Sequence, residues 1–201
     1  MAEKYKNRRG MVTWAIVVGN VIAWLINIAA GGGSFWGRFL YGGGYAKQFG
    51  EATFQAIVMH GEWWRLMTCG YLHIGIFHLG FNLHAMIMVV GKMESCLGSF
   101  KTFVGYHLGT VITAFFWCLL FRNGSMVGAS LGIYVAMGVL LASNKIDASK
   151  RYMKFSRAEC NYLVAYVIGG CFLGIGTITV HLIGLVVGGM LGYCYSSEKN
   201  N

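Results

Sequence analysis

The sequence Val127-Gly128-Ala129-Ser130-Leu131-Gly132 stands at the start of an apolar segment, residues 126–142, in which no side chain is charged. A bilayer has a hydrocarbon core of about 30 Å, which takes roughly 17 to 25 apolar helical residues to cross. Five other segments have a comparable length and character: residues 11–30, 74–90, 103–121, 161–175 and 177–194. The chain is therefore predicted to be an all-α, polytopic membrane protein with six transmembrane helices.

Composition supports the same class. Hydrophobic residues make up 56% of the 201 residues and charged residues only 11%, which is more apolar surface than a soluble core of this size would bury. Proline is absent, and no polar or low-complexity run marks a linker. We therefore predict a single membrane domain over residues 1–201, with residues 31–73 as an outer loop.

Basic residues predict the orientation, because short cytoplasmic loops collect Lys and Arg. Twelve of the sixteen fall on one side of the predicted topology: Lys4, Lys6, Arg8, Arg9, Lys92, Lys101, Lys145, Lys150, Arg151, Lys154, Arg157 and Lys199. Both termini are thus expected in the cytoplasm. The net charge of +9 is explained by this bias and by contact with the lipid bilayer, so no nucleic-acid partner is expected.

Four polar residues fall at similar depths in this topology. Spans two, four and six begin at the outer face, and His78, Asn82, Ser130 and His181 all lie in the first turns of those spans. A hydroxyl and an imidazole in such segments serve either as hydrogen-bonding contacts between helices or as a nucleophile with its base. The common depth favours the second interpretation.

Spacing adds detail within spans two and four. His78 and Asn82 are four residues apart, so they share a helical face and can direct two donors to one point. Ser130 and Tyr134 have the same spacing. Backbone N–H groups near the start of a helix lack intrahelical partners and are suited to a developing oxyanion.

Span six carries small residues beside its histidine. His181, Gly184 and Gly188 lie on or near one face, and such faces let neighbouring membrane helices approach closely. His181 is then within reach of a hydroxyl on the adjacent helix. The same faces suit packing inside one bundle or between copies of the chain, which leaves the oligomeric state open.

In order and spacing, a set of residues between about Trp63 and Tyr193 resembles the rhomboid family of intramembrane serine proteases. The set comprises Glu62-Trp63-Trp64-Arg65, His73, His78-Leu79-Gly80-Phe81-Asn82, Gly91, Glu94, Gly98, Lys101, Tyr106, Gly128-Ala129-Ser130, and His181 with Gly184 and Gly188. The resemblance covers nearly all of the predicted six-helix core. Glu94, near a cytoplasmic helix end, is expected to form a structural ion pair or cap.

The resemblance implies a reaction site. Ser130 corresponds to the nucleophile and His181 to its general base, with Tyr134 stacked on the imidazole. His78 and Asn82 correspond to the side chains of the oxyanion hole, which the backbone N–H of Ser130 completes. The resemblance also assigns supporting roles to Gly128, in the motif that ends at Ser130, and to Gly184 and Gly188, on the face of span six that carries His181.

The resemblance also extends to the outer loop and to partners. Arg65, with Trp64, corresponds to a pair in a loop that lies partly in the outer leaflet, and His73 to a buried histidine that steadies it. Members of the family need no metal or cofactor, and none is expected here. Their substrates are transmembrane segments of other proteins, cut near the outer surface. A non-catalytic relative that binds or escorts such segments is the alternative.

Two departures from the family pattern bear on the site. Leu131 stands where glycine usually follows the serine, and its side chain could push span six away or face lipid. On that basis Leu131→Gly is expected to give equal or higher activity. The link between spans five and six, around Gly174-Ile175-Gly176-Thr177, is very short and leaves little cover over the site.

Overall fold

The computed structural model describes residues 10–42, 44–146 and 155–197. Their α-helices are α1 (Met11–Ala30), α2 (Phe35–Tyr41), α3 (Gly44–Gly50), α4 (Arg65–Thr68), α5 (Ile76–Leu97), α6 (Ser99–Leu120), α7 (Ser130–Ile146), α8 (Arg157–Cys171) and α9 (Ile175–Ser197). A π-helix (Gln55–Met59), a 3₁₀ turn (Cys69–Tyr71) and two short antiparallel strands, β1 (Ala52–Thr53) and β2 (Ser125–Met126), complete the order. Several basic residues used to predict orientation lie outside the described residues: Lys4, Lys6, Arg8, Arg9, Lys150, Arg151, Lys154 and Lys199.

A helix lies at each of the six predicted spans, and four of them are long and apolar enough to cross a bilayer. These four are α1, α5, α6 and the Ile175–Tyr195 part of α9. α7 is apolar but shorter, and α8 has 15 residues. The protein is therefore an all-α, multi-pass membrane protein.

The predicted span limits differ from the helix limits for local reasons. Residues 126–129 are not helical, because Met126 pairs with Ala52 in the strand ladder and Gly128 has a φ of 139°. The capping box of Ser156 and Glu159 starts α8 four residues before the predicted span. α5 continues past the predicted end at residue 90 to Gly98, whose φ of 83° ends it.

The link between α8 and α9 is also shifted from its predicted place. It consists of residues 172–174, since Ile175 already begins α9. The predicted outer loop, residues 31–73, is not a plain loop either. It folds into short helices and a strand that pairs with the residues just before α7.

Helix α7 lies at the centre of the bundle and contacts α5, α6 and α9. Among the described helices, α7 and α9 share the most extensive contact. A Cβ atom added to Gly188 would lie 2.0 Å from the carbonyl oxygen of Val135, and one added to Gly184 would lie 3.2 Å from that of Leu131. The small residues of α9 thus let two backbones touch, as their spacing predicts.

Glu94 joins three helices near the start of α1. Its carboxylate accepts hydrogen bonds from the backbone N–H groups of Val12 (3.0 Å) and Thr13 (2.8 Å). It also accepts from the hydroxyls of Thr13 (2.7 Å) and Ser99 (2.8 Å). The carboxylate therefore caps the first turn of α1 and fixes it to the turn between α5 and α6.

Candidate active site

A cavity of about 760 Å³ lies between α5, α7, α8 and α9. Four residues selected from the sequence line it together: His78, Asn82, Ser130 and His181. They come from three helices, and the distance in sequence between the first and the last exceeds half the chain. The cavity is of the size that holds a small ligand or a few residues of a peptide.

Ser130 is the first residue of α7 and is 9% exposed. The preceding chain reaches it through Gly128, whose φ of 139° favours glycine and whose N–H donates to the carbonyl of Cys69 at 2.9 Å. A Cβ atom on Gly128 would lie 3.0 Å from Cε1 of His78. The absence of a side chain at Gly128 therefore lets His78 lie close to Ser130.

His181 packs flat against Tyr134. The ring centroids are 3.9 Å apart and the planes differ by 6°. A Cβ atom on Gly170 of α8 would lie 2.8 Å from Cε1 of the imidazole, so the ring is confined from that side as well. Within the described part of the chain, Nε2 of His181 is buried without a hydrogen-bond partner, and no hydrogen bond joins it to Ser130.

Asn82 lies one turn after His78 on α5 and is 1% exposed. Its Oδ1 accepts a hydrogen bond from the Tyr166 hydroxyl at 2.6 Å. Its Nδ2 is buried and has no partner among the residues that the structure describes. The two N–H groups of this amide are thus available to an acceptor in the site.

His73 lies just before α5 and meets the ring of His78 edge-on, with centroids 4.9 Å apart. Burial, with a smaller contribution from the neighbouring His78, lowers the pKa of His73 to about 3, although the backbone of Tyr71 partly opposes this shift. His73 is therefore neutral at physiological pH. Its ring contacts His78, which lines the cavity, while His73 is not itself a lining residue.

Arg65 lies away from the cavity, in the outer segment. Its Nη1 donates to the carbonyls of Gln48 (2.9 Å) and Glu51 (3.2 Å), and its Nε pairs with Glu62. The guanidinium thus fastens the end of α3 and the start of β1 to α4. It stabilises the outer segment and does not contact the four cavity residues.

Leu131 follows neither alternative drawn from its position in sequence. Its side chain is 0% exposed and packs in a cluster with Trp117 and Val180. It neither faces lipid nor separates α7 from α9, whose backbones touch at Gly184 and Gly188. The side chain instead fills the space between α6 and the start of α9.

Sequence reasoning missed two residues of α8 that shape the site, Tyr166 and Gly170. Tyr166 contacts Asn82, and Gly170 faces His181. They are four residues apart and share a helical face, and Tyr162 lies on that face one turn earlier. That spacing was visible in the sequence, although the partners on other helices were not.

Comparison with known proteins finds a family whose members resemble this chain. A family model described as the Rhomboid domain matches residues 60–198. The chain is 33% identical over 139 residues to "Rhomboid protease GluP" of Bacillus subtilis (strain 168), which covers 67% of this chain and 26% of that protein. It is 30% identical over 136 residues to "Rhomboid protease GlpG" of Serratia proteamaculans (strain 568), covering 65% and 47%.

A third relative carries a different name. The chain is 29% identical over 97 residues to "Inactive RHOMBOID-like protein 8" of Arabidopsis thaliana, covering 48% of this chain and 28% of that protein. The chain thus spans between about a quarter and about half of the length of these curated relatives. The matched residues include the whole cavity, which confirms the resemblance drawn from the motifs: the chain belongs to the rhomboid family.

Proposed function

We propose that this protein is an intramembrane serine endopeptidase that cleaves transmembrane segments of other membrane proteins near the outer membrane face. Ser130 is the nucleophile and His181 the general base. The observation that carries the proposal is the cavity itself, in which a hydroxyl, a stacked imidazole and unpartnered donors from three helices converge. Two of the relatives described above are named as rhomboid proteases.

In the proposed reaction, Oγ of Ser130 bonds to the carbonyl carbon of the scissile peptide while His181 takes the hydroxyl proton. The tetrahedral intermediate collapses as His181 gives that proton to the leaving amine, which leaves an acyl ester on Ser130. Water then attacks the ester by the same route and releases the acid. Tyr134 holds the imidazole in place through its ring.

The oxyanion of the intermediate needs donors at the start of α7. The backbone N–H of Ser130 belongs to the first turn of that helix, where N–H groups lack intrahelical acceptors. Nδ2 of Asn82 and the ring of His78 approach the same end of the cavity. Donors that are already fixed around the oxyanion stabilise such a charge more strongly than water does, because they need not reorient during the reaction.

The buried, unpartnered Nε2 of His181 supports its role as base, because it is a free acceptor in the same cavity as Ser130. A direct bond between the two residues is not required without substrate. Catalytic hydrogen bonds are often long in unliganded enzymes and tighten when substrate binds.

The proposal includes the arrangement in the membrane. The six helices at the predicted spans, α1 and α5 to α9, cross the bilayer as one domain with both termini in the cytoplasm. The bias of basic residues supports this orientation, in which the cavity end of α5, α7 and α9 would face the outer side.

Cleavage of a type I transmembrane substrate in reconstituted vesicles tests the proposal. Wild-type protein is expected to cleave it, and Ser130→Ala and His181→Ala to lose cleavage. A fluorophosphonate probe, which loses fluoride as Ser130 Oγ bonds to phosphorus, is expected to label the wild type and not Ser130→Ala. Equal cleavage and labelling by all three proteins would overturn the Ser–His mechanism.

The alternative is a non-catalytic member of the family that binds or escorts transmembrane segments. One relative is named as inactive, and the described residues show no direct Ser130–His181 bond. Retention of the hydroxyl, the imidazole and the free donors in one cavity favours the enzyme. Binding of the substrate without cleavage or labelling by wild-type protein would support the alternative.

A further inference from the structure

Tyr166 contacts both halves of the proposed machinery from α8. Its hydroxyl lies 2.6 Å from Oδ1 of Asn82, on α5. Its ring stacks on Tyr134 with centroids 6.0 Å apart, and Tyr134 in turn stacks on His181. A single side chain therefore lies between the proposed oxyanion donor and the residue that holds the proposed base.

The orientation of the Asn82 amide decides whether it can stabilise an oxyanion. The carboxamide has an acceptor oxygen on one side and two N–H donors on the other. With Oδ1 bonded to Tyr166, Nδ2 is free of partners in the described structure. Rotation of the amide by half a turn would exchange the two ends and leave an oxygen lone pair where the donor is needed.

The tyrosine hydroxyl favours one of these two orientations. A phenol is a better donor than acceptor, because its oxygen lone pairs are delocalised into the ring. Tyr166 Oη makes one hydrogen bond among the described residues, the one to Asn82. After rotation of the amide, the hydroxyl would have to accept from Nδ2 and its own proton would lose its acceptor. Leaving a buried donor without an acceptor costs about 1–3 kcal/mol.

We propose that Tyr166 is a positioning residue, whose hydroxyl holds the Asn82 amide with Nδ2 available to the oxyanion. The role rests on the proposed protease function and adds to it a residue on a fourth helix. Tyr166 itself does not touch the reacting atoms. It acts on catalysis through the orientation of Asn82, so removing its hydroxyl affects the chemical step and spares substrate binding.

Tyr166→Phe is the direct test, since it removes the hydroxyl and keeps the ring that stacks on Tyr134. We expect kcat to fall about 10-fold, which is less than the fall caused by removing an oxyanion donor altogether. KM should stay within about twofold of wild type. The rate of labelling by a fluorophosphonate should fall in parallel. That small probe needs the oxyanion site but no entry of a transmembrane helix.

Tyr162→Phe is the matched control. Tyr162 lies one turn earlier on α8, and its hydroxyl also donates to α5, but to the backbone carbonyl of Phe81 at 2.8 Å. This variant loses a similar bond between the same two helices without touching the Asn82 amide. We expect kcat and labelling within about twofold of wild type. Thermal unfolding in detergent checks that both variants are folded.

A double-mutant cycle with Asn82→Ala completes the test. Once the amide is gone, Tyr166→Phe should lower kcat by no more than about twofold. An unchanged kcat in Tyr166→Phe, equal losses in Tyr162→Phe, or an undiminished loss in the Asn82→Ala background would each overturn the positioning role. These results leave the protease proposal intact as long as Ser130→Ala is inactive. Equal activity of Ser130→Ala and wild type would overturn both.

Discussion

The imidazole of His181 lies parallel to the ring of Tyr134, with centroids 3.9 Å apart and planes differing by 6°. The two residues come from neighbouring helices whose backbones are in contact at Gly184 and Gly188. The close approach of the two helices thus brings the two rings within stacking distance. As the proposed base, His181 held in this way has few orientations to lose before it accepts a proton.

Replacing Tyr134 by leucine should release the imidazole. We expect kcat to fall about 10-fold, because the proposed base is no longer confined to one orientation. Tyr134→Phe is the control, since the Tyr134 hydroxyl has no partner in the described structure and the ring is kept. It should retain activity within about twofold in the vesicle assay. Equal losses in the two variants would show that the hydroxyl, rather than the stacking, matters.

Gly188→Ala should destabilise the protein. The added Cβ would lie 2.0 Å from a backbone oxygen of Val135, so α7 and α9 must separate. Overpacking of this kind costs about 1–3 kcal/mol, which corresponds to roughly 5 °C in the unfolding temperature. Gly189→Ala is the matched control, because its Cβ would have no neighbour within 4 Å. Equal unfolding temperatures for the two variants would contradict the close contact.

Much of the cavity could be predicted from the sequence, since helical spacing and depth below the outer face are properties of a single span. His78, Asn82, Ser130 and His181 are predicted to lie together in that way. Tyr166 could not be, because its bond to Asn82 joins positions 84 residues apart and depends on how α8 tilts against α5. Spacing reports which residues share a face, but not which face the neighbouring helix presents.

The predicted start of the span around α7 was wrong for another reason. Hydropathy treats Met126 and Val127 as membrane helix, whereas their backbone is set by pairing with β1 and by the positive φ of Gly128. The position of Leu131 was undetermined because α7 is buried on nearly all sides and shows no polar face. Only the packing of α6 and α9 around it decides the outcome.

Glu94→Ala should destabilise the end of the bundle where α1 begins. Four donors lose their acceptor, so a loss of about 4 kcal/mol in the free energy of unfolding is expected, at about 1 kcal/mol for each hydrogen bond. Ser99→Ala removes one of these bonds and should cost about 1 kcal/mol. Denaturant unfolding in detergent measures both. Similar small losses in the two variants would show that the carboxylate does not act as a shared cap.

The lowered pKa of His73 predicts that the folded protein loses stability in mild acid. The pKa of His73 is about 3 in the folded protein and near the ordinary value of 6.5 in the unfolded chain. Between these two pH values the unfolded state binds the proton and the folded state does not. Stability should therefore fall as pH drops, by about 1 kcal/mol from about pH 7.5 to about pH 5.5. His73→Gln should reduce this slope in thermal unfolding measured at both pH values. A slope identical to that of wild type would assign the effect to other groups.

Leu131→Gly should weaken the protein, which reverses the expectation drawn from the family pattern. The side chain is 0% exposed and fills the space between Trp117 and Val180, next to the residue that bears the proposed nucleophile. Loss of a buried leucine costs about 2–5 kcal/mol, and glycine in a helix adds to the loss. Leu182→Ala, at a 57% exposed position on α9, should change stability by no more than about 0.5 kcal/mol.

Leu131→Gly should also lower kcat. The empty space left by the side chain lets the start of α7, which bears Ser130, move more freely. A Leu131→Gly variant as stable and as active as wild type would show that the bundle closes around the missing side chain.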